Sequence, residues 1–514
     1  MRVLIIDADT LRPDHTSPYG YARRITPNVQ ALADEALVLT EYHAADTPCV
    51  PSRANFTTQR FGISNGAFGH EGHDADVRLT QWRSHTPQAP FFGYHLANEA
   101  GYHTATIGCF AERHQTWWFH SNFLETLRPT LSLGLDEDAR DISNAGIEWL
   151  QRRRHEEDWL LHLTYWEPHT DYYVDKSWVD KARAAGPAPA WPDAATIQAH
   201  QQLYGTHCAV DLHGVYGAAS PLPEIMPDAV RDRDDFERLI DGYDGAIAYW
   251  DFHVGRLIDE LKRLGLYEDT AIIVTGDHGE SFGEQGVYAE HAMAHPACTR
   301  VPMIIRWPGL TDRLEASKRV HDGLAYNLDL GPTLCELLGL PVPPGWHGRS
   351  FAPLLRGQPL AGRDYLVLSQ GVHTFQRAVR MGSMLYLRTL HPGTFPLNPE
   401  ELYDLAADPN LTRDLMPSQP ERAAPLKVAL NDWWHQHAGF PGAAPDPMQQ
   451  HLARGPVLYS DPVRYLARLQ ATGRQAQAAD YRRRLGDFLV DTHVLPDHEK
   501  PKRNFPQKRR QRGE

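Results

Sequence analysis

Val3-Leu4-Ile5-Ile6-Asp7-Ala8-Asp9-Thr10-Leu11-Arg12-Pro13-Asp14 begins as a short aliphatic run and ends in carboxylates. Far downstream, Ile272-Ile273-Val274-Thr275-Gly276-Asp277-His278-Gly279-Glu280 repeats the pattern. Uninterrupted apolar runs of this length suit strands covered on both faces, which is the condition of a parallel sheet. Open α/β sheets take their ligands outside the carboxyl ends of the strands. The two stretches therefore predict an α/β protein whose acidic strand ends form one rim. Asp7 and Asp9 are two residues apart and share a face.

A third stretch, Thr47-Pro48-Cys49-Val50-Pro51-Ser52-Arg53, follows a polar loop. A helix is expected from about Pro51, which puts Cys49 beside its N-terminal amides and the positive end of its dipole. Arg53 then lies one turn on, facing back towards position 49. Taken alone, a loop cysteine among prolines is the plain alternative.

The whole chain bounds what such a site can serve. Its 514 residues exceed one ordinary domain, and 42% apolar with 23% charged residues is a globular composition. A formal charge of −14 argues against a nucleic-acid partner and gives no reason to expect an anionic membrane surface. Any anionic ligand would have to be met by local positive charge against this acidic background. Five widely spaced cysteines show no finger or redox spacing and no disulfide framework. The start of the chain has no signal-peptide core, and no segment has membrane-spanning length. The expectation is a cytoplasmic enzyme.

With the three stretches in this order, the chain resembles the type I sulfatases of the alkaline phosphatase superfamily, from Val3 to about Leu415. The resemblance implies an alkaline-phosphatase-like mixed, mostly parallel sheet sandwiched by helices, with a smaller C-terminal α+β domain. It implies that Cys49 is oxidised to formylglycine by a formylglycine-generating enzyme, and that the hydrated aldehyde is the nucleophile. Asp9, Asp277, His278 and residue 49 would hold a divalent metal, Ca2+ by the family's habit, with Mn2+, Mg2+ or Zn2+ compatible with the imidazole. Arg53 would hold the hydrate, and His169 of Glu167-Pro168-His169-Thr170 would touch the sulfate. His291 would stand at the leaving oxygen, with His295 as the alternative.

Three departures from the family pattern stand out. Thr10 replaces a second metal-binding aspartate, and Asp7 reads either as compensating for it or, in preference, as a hydrogen-bonded structural carboxylate. Thr58-Gln59-Arg60 replaces Thr-Gly-Arg. Cys109-Phe110-Ala111-Glu112-Arg113-His114 stands where a Lys-Trp-His run usually holds sulfate, so Arg113 or His114 would bind the anion, and the substrate would differ from those of familiar arylsulfatases. Trp117-Trp118-Phe119 reads equally as a subsite or as core. His70, His73 and His85 fall in a Gly-rich stretch read as a surface loop.

The organisation expected is a catalytic domain over residues 1–362, a small antiparallel-sheet domain over 363–440 and a helical, basic extension over 441–514. Amphipathic helices are expected from Asp138 to Arg154 and from Arg238 to Leu264, and an irregular insertion over 184–232. In the extension, Tyr465, Leu466, Leu469, Tyr481, Leu485 and Phe488 form an apolar stripe, followed by a basic end from Lys500 to Arg512. That segment reads as a solvated tail or as a homo-oligomer contact. The expected reaction is hydrolysis of a small-molecule or saccharide sulfate ester. A phosphonate monoester or phosphodiester hydrolase on the same fold is the nearest alternative, and a non-catalytic anion- or sugar-binding protein the more distant one.

Overall fold

The computed structural model describes residues 1–78, 89–130, 137–214, 225–440, 442–458 and 461–486. His85, Phe488 and Lys500 to Arg512 lie outside the described residues.

The central sheet has eight strands in the order Val320–His321, Leu37–Leu39, Met303–Arg306, Thr270–Gly276, Arg2–Ala8, Trp159–Tyr165, His103–Ile107 and Glu125–Leu127. Arg2–Ala8 sits mid-sheet, parallel to Trp159–Tyr165 on one side and Thr270–Gly276 on the other. Met303–Arg306 is antiparallel to both of its neighbours, so the sheet is mixed but mostly parallel. In register, Asp7 pairs with Thr164 and Thr275, and Ala8 with Tyr165 and Gly276. Both opening stretches therefore end at the same rim.

Alternation along the first strand divides the core. Leu4, Ile6 and Ala8 pack into one apolar layer with residues of the helices Ala139–Arg152 and Arg233–Arg263. Val3 and Ile5 pack into the other, which holds Cys49, Val50, Phe92, Leu330 and Leu334. Asp7, in phase with Val3 and Ile5, points to the side of the Cys49 helix. The long helix begins at Arg233, a turn earlier than its apolar periodicity suggests, because Asp232 accepts a hydrogen bond from the Asp235 amide and caps it. Asp138 caps Ala139–Arg152 in the same way.

A second sheet of five strands runs Glu400–Asp404, Met384–His391, Phe375–Met381, Leu366–Gln370 and Asp46–Thr47. Four are antiparallel neighbours, backed by the helix Ala424–His437. The fifth comes from the start of the chain and joins parallel to Leu366–Gln370. The residues just before Cys49 are thus held by the second sheet, while Cys49–Thr58 packs on the first.

Two expectations change. The 184–232 segment contains the helix Ala194–His200 and a hydrogen-bonded loop from Leu203 to Gly214. In the extension, the helices Pro462–Ala471 and Gln475–Leu485 are folded onto the chain, with Tyr465, Leu469, Tyr481 and Leu485 buried against Tyr204. This apolar face is therefore covered by the chain itself. Among the described residues, no helix is long and apolar enough to cross a membrane.

Candidate active site

Cys49 is the first residue of its helix and is wholly buried. Its Sγ lies 3.1 Å from His278 Nε2 and 3.7 Å from Asp9 Oδ1. His278 Nε2 in turn lies 3.6 Å from Asp9 Oδ1 and 3.7 Å from Asp277 Oδ2. The side chains of Asp9, Cys49, Asp277 and His278 converge closely enough to share one ion.

Backbone contacts fix the donors. Asp277 Oδ1 accepts from the amides of His278 (2.8 Å) and Thr10 (3.2 Å). Ser52 Oγ, on the Cys49 helix, donates to the Asp277 carbonyl at 2.6 Å. His278 Nδ1 is 2.8 Å from the Gly279 carbonyl, an acceptor only, so Nδ1 carries the proton and Nε2 turns a lone pair towards Asp9 and Asp277. Thr10 contributes its amide rather than a ligand oxygen, and its backbone holds a left-handed φ of 60°.

Arg53 reaches back as expected from its place one turn into the helix. Its Nη1 donates to Asp9 Oδ2 at 3.0 Å and to Asp277 Oδ2, and its Nε to Asp7 Oδ2 at 3.2 Å. Asp7 also meets His162 Nε2 at 3.2 Å, which makes it the structural carboxylate the sequence suggested. Burial works to raise the pKa of both Asp9 and Asp277. For Asp9, Arg53 and the nearby histidines more than offset burial and hold it below the carboxylate range. Asp277 stays well above its ordinary value despite Arg53, because Asp9 and Asp7 stand beside it. Burial, then Asp9 and Asp277, pushes the Cys49 thiol far up. Three buried carboxylates around one guanidinium leave negative charge for a further cation, and the two-carboxylate, one-imidazole donor set fits a divalent ion.

His291 stands over this centre, its ring 4.2 Å from that of His278. Its Nδ1 is 3.4 Å from Glu280 Oε1 and its Nε2 3.2 Å from Glu290 Oε1. Against the opposing effect of burial, Glu290 and Glu280 lift its pKa to about 9. His169 packs 5.4 Å from His291, ring to ring, and stacks on Trp166 at 3.8 Å. Burial lowers it to about 4, so it is a neutral imidazole. The Arg113 guanidinium lies 3.7 Å from the centre of the Trp166 ring and pairs with Glu137. His114 is ring-to-ring with His70 at 5.0 Å, and burial drives both well below the usual histidine value.

The structure thus brings Asp9, Cys49, Arg53, Asp277, His278, His291 and His169 into one centre, with Arg113 and His114 at its edge. His295 is buried beside Glu284 and Arg12 instead, away from this group. His73 is solvated, whereas His70 is buried. Of the aromatic run, Phe119 is core, Trp118 donates to the Ala75 carbonyl and Trp117 is exposed. The sequence assigns Glu280 and Glu290 no role, and His70, expected in a solvated surface loop, is instead buried against His114. For the two glutamates a signal existed, since they sit one residue from Gly279 and from His291, but acids in a loop carry no periodicity.

A mostly parallel sheet with carboxylates, an imidazole and a helix-borne cysteine at its rim defines an ester hydrolase of the alkaline phosphatase superfamily. The family profile described as Sulfatase matches residues 2–340, and that described as N-sulphoglucosamine sulphohydrolase, C-terminal, matches residues 283–432. The chain belongs to the sulfatase family and is a sulfuric ester hydrolase. It is 25% identical over 469 residues to the choline-sulfatase of Rhizobium meliloti (strain 1021), covering 79% of this chain and 80% of that one. Among solved structures it is similar to the phosphonate monoester hydrolase SpPMH from Silicibacter pomeroyi, with TM-score 0.63 and 19% identity over 85% of this chain and 95% of that one. It is equally similar to BT4656, solved in complex with its substrate D-glucosamine-2-N,6-O-disulfate, with TM-score 0.63 and 17% identity over 85% and 97% of the two chains. At these identities the two structures speak for the fold alone.

Proposed function

We propose that this protein hydrolyses a small-molecule or saccharide sulfate ester with formylglycine, made from Cys49 by a formylglycine-generating enzyme, at a divalent metal site. The observation that carries the reading is the meeting of residue 49 with Asp9 and His278 at 3.7 and 3.1 Å, beside Asp277 and under Arg53. The Cys49 sulfur stands in for an oxygen of the aldehyde hydrate, and its strongly raised pKa makes the unmodified thiol a poor nucleophile. The hydrate would supply the attacking oxygen, and a cation on Asp9, Asp277, His278 and residue 49 would neutralise charge on it and on the sulfate.

The chain's own groups do the rest. Arg53 balances the carboxylates and orients the side chain at 49. His291, protonated at neutral pH through Glu290 and Glu280, gives its proton to the departing oxygen. Neutral His169, with His114 and Arg113 at the edge, offers hydrogen bonds to sulfate oxygens. The oxygen-rich donor set favours Ca2+, and the imidazole admits Mn2+, Mg2+ or Zn2+. Five free cysteines are in keeping with a reducing, cytoplasmic setting.

Mass spectrometry of the peptide containing residue 49, from a host with the converting enzyme, is expected to show aldehyde. Cys49→Ala is expected to abolish turnover of aryl sulfate, and chelation to suppress it until Ca2+ is restored. Thiol at 49 with full activity would remove the nucleophile. The likeness to a phosphonate monoester hydrolase keeps one rival in view. Comparison of kcat/KM for aryl sulfate and aryl phosphonate monoester separates the two, with sulfate expected to be preferred.

A further inference from the structure

Beyond His291 lies a second group of ligand-type side chains, of which the sulfate chemistry uses only the Glu290 Oε1 that faces His291. Glu290 Oε2 is 3.4 Å from His207 Nε2 and 3.5 Å from His373 Nε2. The three side chains offer donor atoms that all lie within 4.8 Å of one another. They come from three separate parts of the fold. His207 is on the Leu203–Gly214 loop, Glu290 ends the strand Tyr288–Glu290, and His373 precedes the strand Phe375–Met381 of the second sheet.

We propose that His207, Glu290 and His373 form a second metal site, for a borderline transition-metal dication of the Zn2+ class, distinct from the centre at Asp9, Asp277 and His278. Tetrahedral bonds of about 2.0–2.1 Å put neighbouring ligand atoms about 3.3–3.4 Å apart. The observed separations of 3.4 and 3.5 Å match that edge.

The tautomer points the same way. His207 Nδ1 is 2.9 Å from the Leu212 carbonyl, so Nδ1 bears the ring proton. In the neutral ring, Nε2 then faces a carboxylate oxygen lone pair to lone pair, an arrangement that a shared cation relieves. A carbonyl on the far nitrogen is also the support that metal-bound histidines ordinarily have. Two nitrogens and one oxygen select Zn2+ over Ca2+ or Mg2+.

The backbone holds the three ligands in place. The Tyr288 amide donates to the His207 carbonyl, the His207 amide to the Asp211 carbonyl and the His373 amide to the Val457 carbonyl, each at 2.9 Å. His207 and His373 both take left-handed φ values, 69° and 65°, as does Ala289 at 50°. Strain of this kind persists where the surroundings over-determine it. The His207 and Glu290 side chains keep 18% and 12% of their exposure, which leaves a side open for a fourth ligand.

The site does not depend on the sulfate reading, and its test reads the metal rather than turnover. The full-length protein, with Ca2+ in excess to fill the first centre, is titrated with Co2+. One equivalent is expected to bind with the visible d–d absorption of a tetrahedral ion and to be displaced by Zn2+. His207→Gln and His373→Gln should each weaken it at least tenfold while keeping wild-type circular dichroism. Anomalous scattering at the cobalt edge in wild-type crystals should place the ion between His207 and His373, a result independent of whether either variant folds. An absorption band that persists in both variants, or a wild-type protein that takes up no Co2+ beside the Ca2+, overturns the proposal.

Discussion

Arg53 is the residue on which charge balance at the rim turns. It is buried, and it donates to Asp7, Asp9 and Asp277. Removing one partner of a buried ionic group leaves its charge uncompensated, which costs about 3–5 kcal/mol. Arg53→Ala is therefore expected to lose about 10²–10³ in kcat/KM and to lower the urea midpoint as well. Arg53→Lys restores charge but not the fork that spans Nε and Nη1, so it should recover stability before activity. His291 behaves differently, since it touches no strand-end carboxylate of the rim. His291→Gln should cost about 10²–10³ in kcat, far more for alkyl sulfates than for aryl sulfates whose leaving groups need no proton. Equal losses on both substrates would assign His291 a binding role. Asp9, Asp277 and His278 could be read from sequence because an apolar strand delivers whatever follows it to a known place. Glu290 could not, because two of its three histidine neighbours, His207 and His373, reach it only through tertiary folding.

Strand ends and helix starts were legible where a local rule sets them, and not where a distant residue does. Thr26 has the identity of a helix cap, yet its hydroxyl is engaged with Ser17. The Asn28 and Val29 amides are met by Asp251 of the long helix instead. Gln59 stands where a glycine turn was expected, and it does adopt a left-handed φ of 55°. Its side chain accepts from the Gly331 amide at 3.2 Å, a contact glycine could not make. The turn after Thr270–Gly276 is the most demanding. A Cβ on Gly279 would lie 2.0 Å from the Ala297 carbonyl oxygen, a backbone atom that cannot swing aside. The Gly279 amide also donates to the Cys298 carbonyl at 2.7 Å, and its own carbonyl orients His278. Gly279→Ala is expected to cost about 1–3 kcal/mol through overpacking and to turn His278 Nε2 away from Asp9 and Asp277, the residues with which it would hold a metal. The check is metal affinity by calorimetry alongside thermal unfolding. Unchanged affinity in a destabilised protein would mean the turn supports the fold but not the ligand.

At the level of the whole molecule, Asp211 ties the C-terminal helix pair to the loop that carries His207. Its carboxylate accepts from Arg468 Nε at 2.6 Å, Arg474 Nη1 at 2.6 Å and the Tyr465 hydroxyl at 2.8 Å. No sequence pattern announces this, because the partners are some 250 residues apart and charged residues on an amphipathic helix usually face water. Burial works to raise the Asp211 pKa, but the hydrogen bonds from Arg474 and Arg468 more than offset it and hold it below its ordinary value. A carboxyl with a depressed folded-state pKa contributes stability above its unfolded value of about 3.9 and loses it as pH falls through the folded value. The docked helices are therefore expected to loosen on acidification. Arg474→Ala removes two of the hydrogen bonds to a charged acceptor and should cost about 1.5–3 kcal/mol at neutral pH. The gap between wild type and variant should then close as pH drops below the carboxylate range, because protonated Asp211 no longer distinguishes them. Urea unfolding followed by tryptophan fluorescence across that range measures both arms. A gap that stays constant with pH would mean Arg474 stabilises the helix pair by packing, and that Asp211 does not fasten the extension.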